Sequence, residues 1–148
     1  MDTENIVEGS ISVIIVTHGD FGAGLLRSAE LILGPQTDCA ALVVDATQDV
    51  SATVTRLREM AERVDHGRGV LLLTDMFGGT PTNLCLSLLS VAPGKVEVVT
   101  GVNLPMVLRV FGQRHLTLSE LANEAKEAGV KGIVVAGDML RTRAKEKG

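Results

Sequence analysis

The sequence predicts an open, doubly wound α/β sheet, mostly parallel, with helices packed on both faces. Three observations lead there. Short, β-branched apolar runs recur along the chain, segments with helical spacing of apolar residues fall between them, and the connections are short, with no internal repeat and no low-complexity linker. Alternating units of this kind fold as crossovers onto a parallel sheet. At 148 residues the chain lies within the range of one compact domain, about 100 to 200 residues.

The elements follow in order. Ile11-Ser-Val-Ile-Ile-Val-Thr17 is nearly continuous in apolar residues, as a strand covered on both faces requires, and it stops at His18-Gly-Asp-Phe-Gly. Gly24 to Leu33 then sets Leu25, Leu26, Ala29, Ile32 and Leu33 at helical spacing, and Gly34-Pro35 ends that helix. Ala40 to Asp45 is the second strand. Asp49 is placed to cap a helix to about Val64 with Val50, Val54, Leu57, Ala61 and Val64 on its apolar face. Gly69 to Asp75 is the third strand. After Met76-Phe-Gly-Gly79, Thr80 is expected as N-cap and Pro81 as first helical residue, where a missing N–H costs nothing, of a helix to Ser90. Pro93-Gly94 turns the chain into a fourth strand, Lys95 to Thr100. Gly101-Val-Asn-Leu-Pro105 leads to a helix carrying Met106, Leu108, Val110 and Phe111. Thr117 to Ala128 is a further amphipathic helix, Gly129 is expected to end it, and Gly132-Ile-Val-Val-Ala-Gly137 reads as a fifth apolar strand.

Composition narrows the function. Hydrophobic residues are 45% of the chain and aromatics only 2%, so the core is built from aliphatic side chains, which suits a buried parallel sheet. A net charge of -4, from 14 Lys+Arg against 18 Asp+Glu, with no basic stripe before the C-terminal tail, argues against nucleic-acid binding. The N-terminus carries no basic leader, and the first apolar run is far shorter than the roughly 20 residues of a membrane span. A soluble cytoplasmic protein with no membrane insertion is the expectation. Cys39 and Cys85 lie far apart in apolar surroundings and read as buried free thiols. Arg141 to Gly148 alternates charge with little to bury and is expected to fray.

In open parallel sheets reactive groups gather at the carboxyl ends of the strands, where the strand order reverses. Those ends hold Thr17-His18-Gly19-Asp20, Thr74-Asp75 followed by Met76-Phe77-Gly78-Gly79-Thr80-Pro81, and Thr100-Gly101-Val102-Asn103. His18 lies just beyond the apolar run beside Gly19, which leaves room for another molecule to approach. Its imidazole can serve as nucleophile, base or ligand, or merely bond nearby backbone. Asp75 can accept from one ring nitrogen, fix the tautomer and leave the other lone pair free to attack phosphorus. A plain turn residue is the alternative. Gly78-Gly79-Thr80-Pro81 opens a helix, so free amides and the Thr80 hydroxyl can face an anion, although many such turns bind nothing. Phe77 can shield the crevice, dock a partner or belong to the core. Gly22 and Gly24 lack a third glycine and a Walker lysine, so no nucleotide site is expected. His66 and His115 show no metal-like spacing, and no metal or cofactor is expected.

These strand-end residues resemble the enzyme IIA component of the mannose family of the bacterial phosphoenolpyruvate-dependent sugar phosphotransferase system (PTS). The resemblance rests on Thr17-His18-Gly19 with Leu31-Ile-Leu-Gly34, on Leu73-Thr-Asp75-Met-Phe-Gly-Gly-Thr-Pro81 with Asn83, and on Gly101-Val-Asn-Leu-Pro-Met106. It spans about residues 10 to 137, with a flexible leader at 1–9, the domain at 10–138 and a charged tail at 139–148. It implies that His18 takes a phosphoryl group from phospho-HPr and gives it to a IIB component, with Asp75 bonded to the imidazole and no metal required. Thr80, Gly78, Gly79 and Asn83 are then expected around the phosphoryl oxygens, and Phe77, Gly19, Asn103 and Pro105 where partners dock.

The resemblance further implies four parallel strands plus an antiparallel C-terminal strand, here Gly132 to Gly137, exchanged between the subunits of a homodimer. Phe77 stands where the best-known mannose-specific members carry tryptophan, which bears on docking rather than on chemistry. The acceptor is expected to be a separate IIB polypeptide, associated with membrane IIC and IID components. Two rival functions share these residues. One is a regulatory protein that keeps His18 but is uncoupled from transport. The other is a receiver-like domain phosphorylated on Asp75, with Thr100 after the fourth strand. Receivers, however, need an acidic pair after the first strand to hold magnesium, and only Asp20 is present, with no lysine after the fifth strand.

Overall fold

The computed structural model describes residues 9–45 and 47–147. Its first strand, β1 (Ser12–His18), is buried from Ser12 to Thr17 and meets solvent only at His18. That is the signature of a central strand whose two faces are both covered. The remaining elements are α1 (Phe21–Leu33), β2 (Cys39–Val44), α2 (Val50–Val64), β3 (Val70–Thr74), α3 (Thr80–Val91), β4 (Val96–Thr100), α4 (Leu104–Gly112), α5 (Leu118–Lys131) and α6 (Ala136–Lys147). The strands form one sheet in the order β2-β1-β3-β4, every pair parallel.

Alternation along β1 divides the core into two layers. Val13 and Ile15 point to the side where Ala29 of α1, Met106 and Val110 of α4 and Leu121 of α5 pack. Ile14 and Val16 point to the other, against Leu57 of α2 and Leu84 and Leu88 of α3. Each fully buried aliphatic side chain contributes about 1.5–3 kcal/mol relative to exposure, so these layers carry the fold chiefly through aliphatic packing, with Phe111 an aromatic member of the first. The chain leaves β1 towards β2 on one side and returns as β3 on the other. The strand order therefore reverses between β1 and β3, and the register sets Val16 beside Thr74. Their carboxyl ends, His18 and Asp75, flank the crevice where such folds place ligands.

Four expectations are corrected. Gly132 to Gly137 is no strand in the single chain: Ile133, Val134 and Val135 are 76%, 58% and 66% exposed, and α6 begins at Ala136. A strand needs a neighbour to satisfy its amides, and among the described residues of one chain the segment pairs with no strand. Gly129 does not end α5, which runs on to Lys131 with Gly132 as its cap. Gly129 is instead buried in the helix where a Cβ would meet Met106 Cε at 2.8 Å, so it is a packing glycine. The tail from Arg141 is helical up to Lys147 rather than frayed, while Gly148 lies outside the described residues. Gly79, not Thr80, caps α3, so Thr80 is its first helical residue and Pro81 the second. The leader expected at 1–9 lies outside the described residues but for Gly9. No helix among the described residues is long and apolar enough to cross a membrane.

Candidate active site

The site is assembled by two turns, one after β1 and one after β3. At the first, Gly19 adopts φ +61, a left-handed conformation that reverses the chain after His18 and leaves the imidazole standing at the sheet edge. At the second, Gly78 takes φ +87 and Gly79 leads into α3. The two strand ends meet through Asp75. Its Oδ2 accepts from the His18 backbone N–H at 2.9 Å and lies 2.6 Å from His18 Nδ1, and its Oδ1 accepts from the Met76 N–H at 2.9 Å.

Burial pushes the Asp75 carboxyl up, but the His18 amide and ring and the Met76 amide outweigh it and hold the group below the usual carboxylate range. It is therefore ionised at neutral pH and acceptor-only. In the neutral ring the nitrogen facing this carboxylate is the one that carries the proton, and the lone pair is then on Nε2. The His18 side chain is 50% exposed against 11% for Asp75, so the orienting carboxylate is sheltered while the ring faces outward. Gly79 presses on the ring edge: a Cβ there would lie 2.8 Å from His18 Cε1.

The first hydrogen bond of α3 runs from Asn83 N–H to Gly79 C=O at 3.0 Å. The amides of Gly79, Thr80 and Thr82 therefore precede the helical ladder, Pro81 having none, and the helix dipole makes this end favourable for an anion. Thr80 and Asn83, three apart and both exposed, share one face of that turn. Phe77 is 75% exposed and Met76 54%, so neither is core. Pro105 is exposed in the first turn of α4. Asn103 is partly exposed; its Oδ1 caps α4 at Met106 N–H and its Nδ2 donates to Gly129 C=O of α5, both at 3.0 Å.

Two side chains next to this pair have no role assigned to them by the sequence. Thr17 and Thr82 are buried, and their hydroxyls bond within the two turns. A threonine at a strand end or a helix start looks ordinary in a sequence, and only its burial separates it from a solvated one. Among the described residues no cluster of three or more His, Cys, Asp or Glu is arranged to hold a metal ion. His66 pairs with Asp38 at 2.8 Å on the exposed surface and has no part in the site. Cys39 and Cys85 are free thiols, and burial pushes that of Cys85 up to about 12.

A doubly wound sheet whose switch point holds an oriented, outward-facing imidazole beside a helix N-terminus is the frame of a small group-transfer protein. The family model described as the PTS fructose IIA component, EIIA-man, matches residues 12–127. The chain belongs to this EIIA family of the sugar phosphotransferase system. It is 31% identical over 131 residues to a fructose-specific EIIA component of Bacillus subtilis (strain 168), covering 88% of this chain and 89% of that one. It is 30% identical over 126 residues to the mannose-specific EIIAB component of Escherichia coli (strain K12), covering 84% of this chain but only 39% of that longer protein. Among solved structures, EIIA from Streptococcus agalactiae superposes with a TM-score of 0.78 at 29% identity, covering 86% of this chain and 98% of that one. The mannose/sorbose-specific IIA subunit from Enterococcus faecalis gives 0.78 at 25%, covering 86% and 95%. The protein is thus a phosphotransferase of the PTS, and its family passes phosphoryl groups between HPr and IIB components.

Proposed function

We propose that His18 is the residue that carries the phosphoryl group, on Nε2, accepting it from phospho-HPr and delivering it to a IIB component that works with membrane IIC and IID proteins in sugar uptake from the cytoplasmic side. The observation that carries this is the 2.6 Å contact between His18 Nδ1 and Asp75 Oδ2, which commits one ring nitrogen and leaves the other as an exposed nucleophile. Nε2 forms its bond to phosphorus as the bond from phosphorus to the donor breaks. The Nδ1 proton stays facing Asp75, whose charge offsets the cationic ring that results. Thr80, Asn83 and the amides of Gly78 and Gly79 receive the phosphoryl oxygens. Little covalent work falls to the protein, because such transfers depend on positioning and charge stabilisation. Phe77, Gly19, Asn103 and Pro105 form the surface on which partners dock, supported by the exposure of Phe77.

An unused edge supports the proposed assembly. Among the described residues β4 has no second neighbour, and beside it Leu86, Leu89, Val98, Val99, Ala122 and Val130 line an open apolar groove. The exposed Ile133–Val135 of a second copy supplies the antiparallel strand that fills it, giving a strand-exchanged homodimer.

The receiver-like alternative is disfavoured by the three bonds already made to the Asp75 carboxylate. Phosphoryl transfer reconstituted with phosphoenolpyruvate, enzyme I, HPr and candidate IIB proteins tests the proposal. The expected product is a phosphohistidine, stable in alkali and lost in acid, absent from His18→Ala and discharged by a IIB protein. Full labelling of His18→Ala would overturn it. A label that no IIB protein removes would instead favour the regulatory reading.

A further inference from the structure

We propose that Thr17 and Thr82 are positioning residues for phosphoryl transfer, their buried hydroxyls holding the two turns that aim His18 and Asp75 at each other and so fixing the imidazole tautomer. The inference rests on the reading of His18 as phosphoryl acceptor. Both side chains lie in the buried layer, Thr17 at 1% and Thr82 at 0% exposure, where valine is the isosteric apolar choice. A hydroxyl there incurs a desolvation cost unless it bonds, and each of these bonds twice.

Thr17 Oγ1 donates to Gly19 C=O and accepts from Gly22 N–H, both at 3.1 Å. It thereby spans the residue between, His18, and ties the turn to the start of α1. The close approach depends on Gly22, where a Cβ would lie 2.9 Å from that oxygen. Thr82 Oγ1 donates to Met76 C=O at 2.5 Å, so its contact with Thr74 Oγ1 at 2.7 Å is one in which Thr74 donates. Thr74 and Met76 are the neighbours of Asp75 on either side. One hydroxyl of α3 thus grips both ends of the segment that presents the carboxylate, and Val102 N–H adds a bond to Thr74 C=O at 2.9 Å.

Neither hydroxyl bonds to the His18 ring, so neither is a catalytic residue. Their effect is on the 2.6 Å separation of Nδ1 and Oδ2, which spans two different turns that the same Oδ2 also joins through the His18 amide at 2.9 Å. A hydrogen bond weakens steeply with distance and angle, and a misplacement of about 1 Å can cost roughly 100-fold in rate.

The test compares Thr17→Val and Thr82→Val with Thr17→Ser and Thr82→Ser in the full chain. Valine keeps the methyl and loses the hydroxyl; serine does the reverse. Two readouts are taken: the tautomer of His18 by nitrogen NMR of the unphosphorylated protein, and kcat and KM separately for transfer from phospho-HPr, with circular dichroism as a folding check. The expected result is that the valine variants lower kcat about 10-fold or more with KM little changed. Their His18 signal should move from the single Nδ1–H form to a mixture, and the serine variants should restore both. Valine variants with the wild-type tautomer and kcat would overturn the proposal, as would serine variants that lose as much as valine, since packing of the methyl would then be the cause. If one valine variant does not fold, the valine variant in the other turn and the serine variant at the same site still decide. An unlabelled wild-type chain overturns the reading of His18 itself, whereas a labelled wild type with unaffected valine variants overturns only this inference.

Discussion

Replacing Asp75 by asparagine removes one charge and almost no volume, and the geometry says what that should do. The carboxylate accepts at both oxygens: Oδ2 from the His18 amide and ring, Oδ1 from the Met76 amide. An amide side chain has one oxygen and one NH2, so in either orientation an NH2 must face an N–H. Turning the NH2 towards His18 opposes the His18 amide and favours the tautomer with its proton on Nε2, which cannot attack. Turning it towards Met76 opposes only that amide and keeps the tautomer, so this orientation should prevail. What is then lost is the charge. A hydrogen bond to a charged group is worth about 1.5–3 kcal/mol against about 0.5–1.5 for a neutral one. The unit charge facing the cationic phosphorylated ring adds a Coulomb part of about 4 kcal/mol for a pair near a protein surface. Half-exposure of His18 screens that to about 1 kcal/mol. The sum of about 2 kcal/mol corresponds to roughly 30-fold in rate. Rapid-quench measurement of transfer from phospho-HPr to Asp75→Asn, beside wild type and His18→Ala, reads the effect directly. A variant within about threefold of wild type would show that the carboxylate neither orients nor stabilises the ring.

Other consequences are as concrete. Asp75 is held below its ordinary value of 3.8, so its stabilisation is fully present above that value and disappears as pH falls through the lower folded-state value. The stability difference between wild type and Asp75→Ala in urea should be constant near neutrality and shrink only in that acid range. A difference that shrinks already near neutrality would contradict the sign. Gly79→Ala places a Cβ 2.8 Å from His18 Cε1 and should displace the ring and cut labelling at least about 10-fold. Gly19→Ala meets nothing within 4 Å and should cost only about 1–2 kcal/mol of stability for its positive φ. Equal labelling of Gly79→Ala and wild type would refute the close approach. Ellman's reagent should leave the buried Cys85 unreacted in the native protein, its thiol being pushed up to about 12, and modify both cysteines only after denaturation. Strand exchange predicts a dimer by analytical ultracentrifugation, and Val134→Asp, at a segment exposed in the single chain, should shift it towards monomer.

The sequence's legibility followed a physical division. Strands such as β1 and β3 could be read because burial on both faces demands an apolar run, and the parallel class follows from the alternation with helices. Once the class is known, the rule about carboxyl strand ends collects His18 and Asp75 without any knowledge of the strand order. That they are adjacent is a property of the β2-β1-β3-β4 order, which local pattern does not encode. Residues whose role depends on a neighbour distant in sequence were the ones misread. Gly129 looked like a stop because a glycine in a helix is weak, but its missing Cβ makes room for Met106. That the Asn103 amide joins α4 to α5 was likewise hidden from the sequence. Gly132 to Gly137 has the composition of a strand, and composition says nothing about which edge receives it: within one chain the segment pairs with no strand, and the proposed edge is that of a second copy. The same reasoning accounts for Thr17 and Thr82. A hydroxyl reveals its function only through the two groups it joins, and here those groups lie in turns brought together by the sheet. A site of this kind is therefore written twice in the chain, once as a reactive pair that pattern can find, and once as the buried bonds that hold the pair in register, which only the folded arrangement displays.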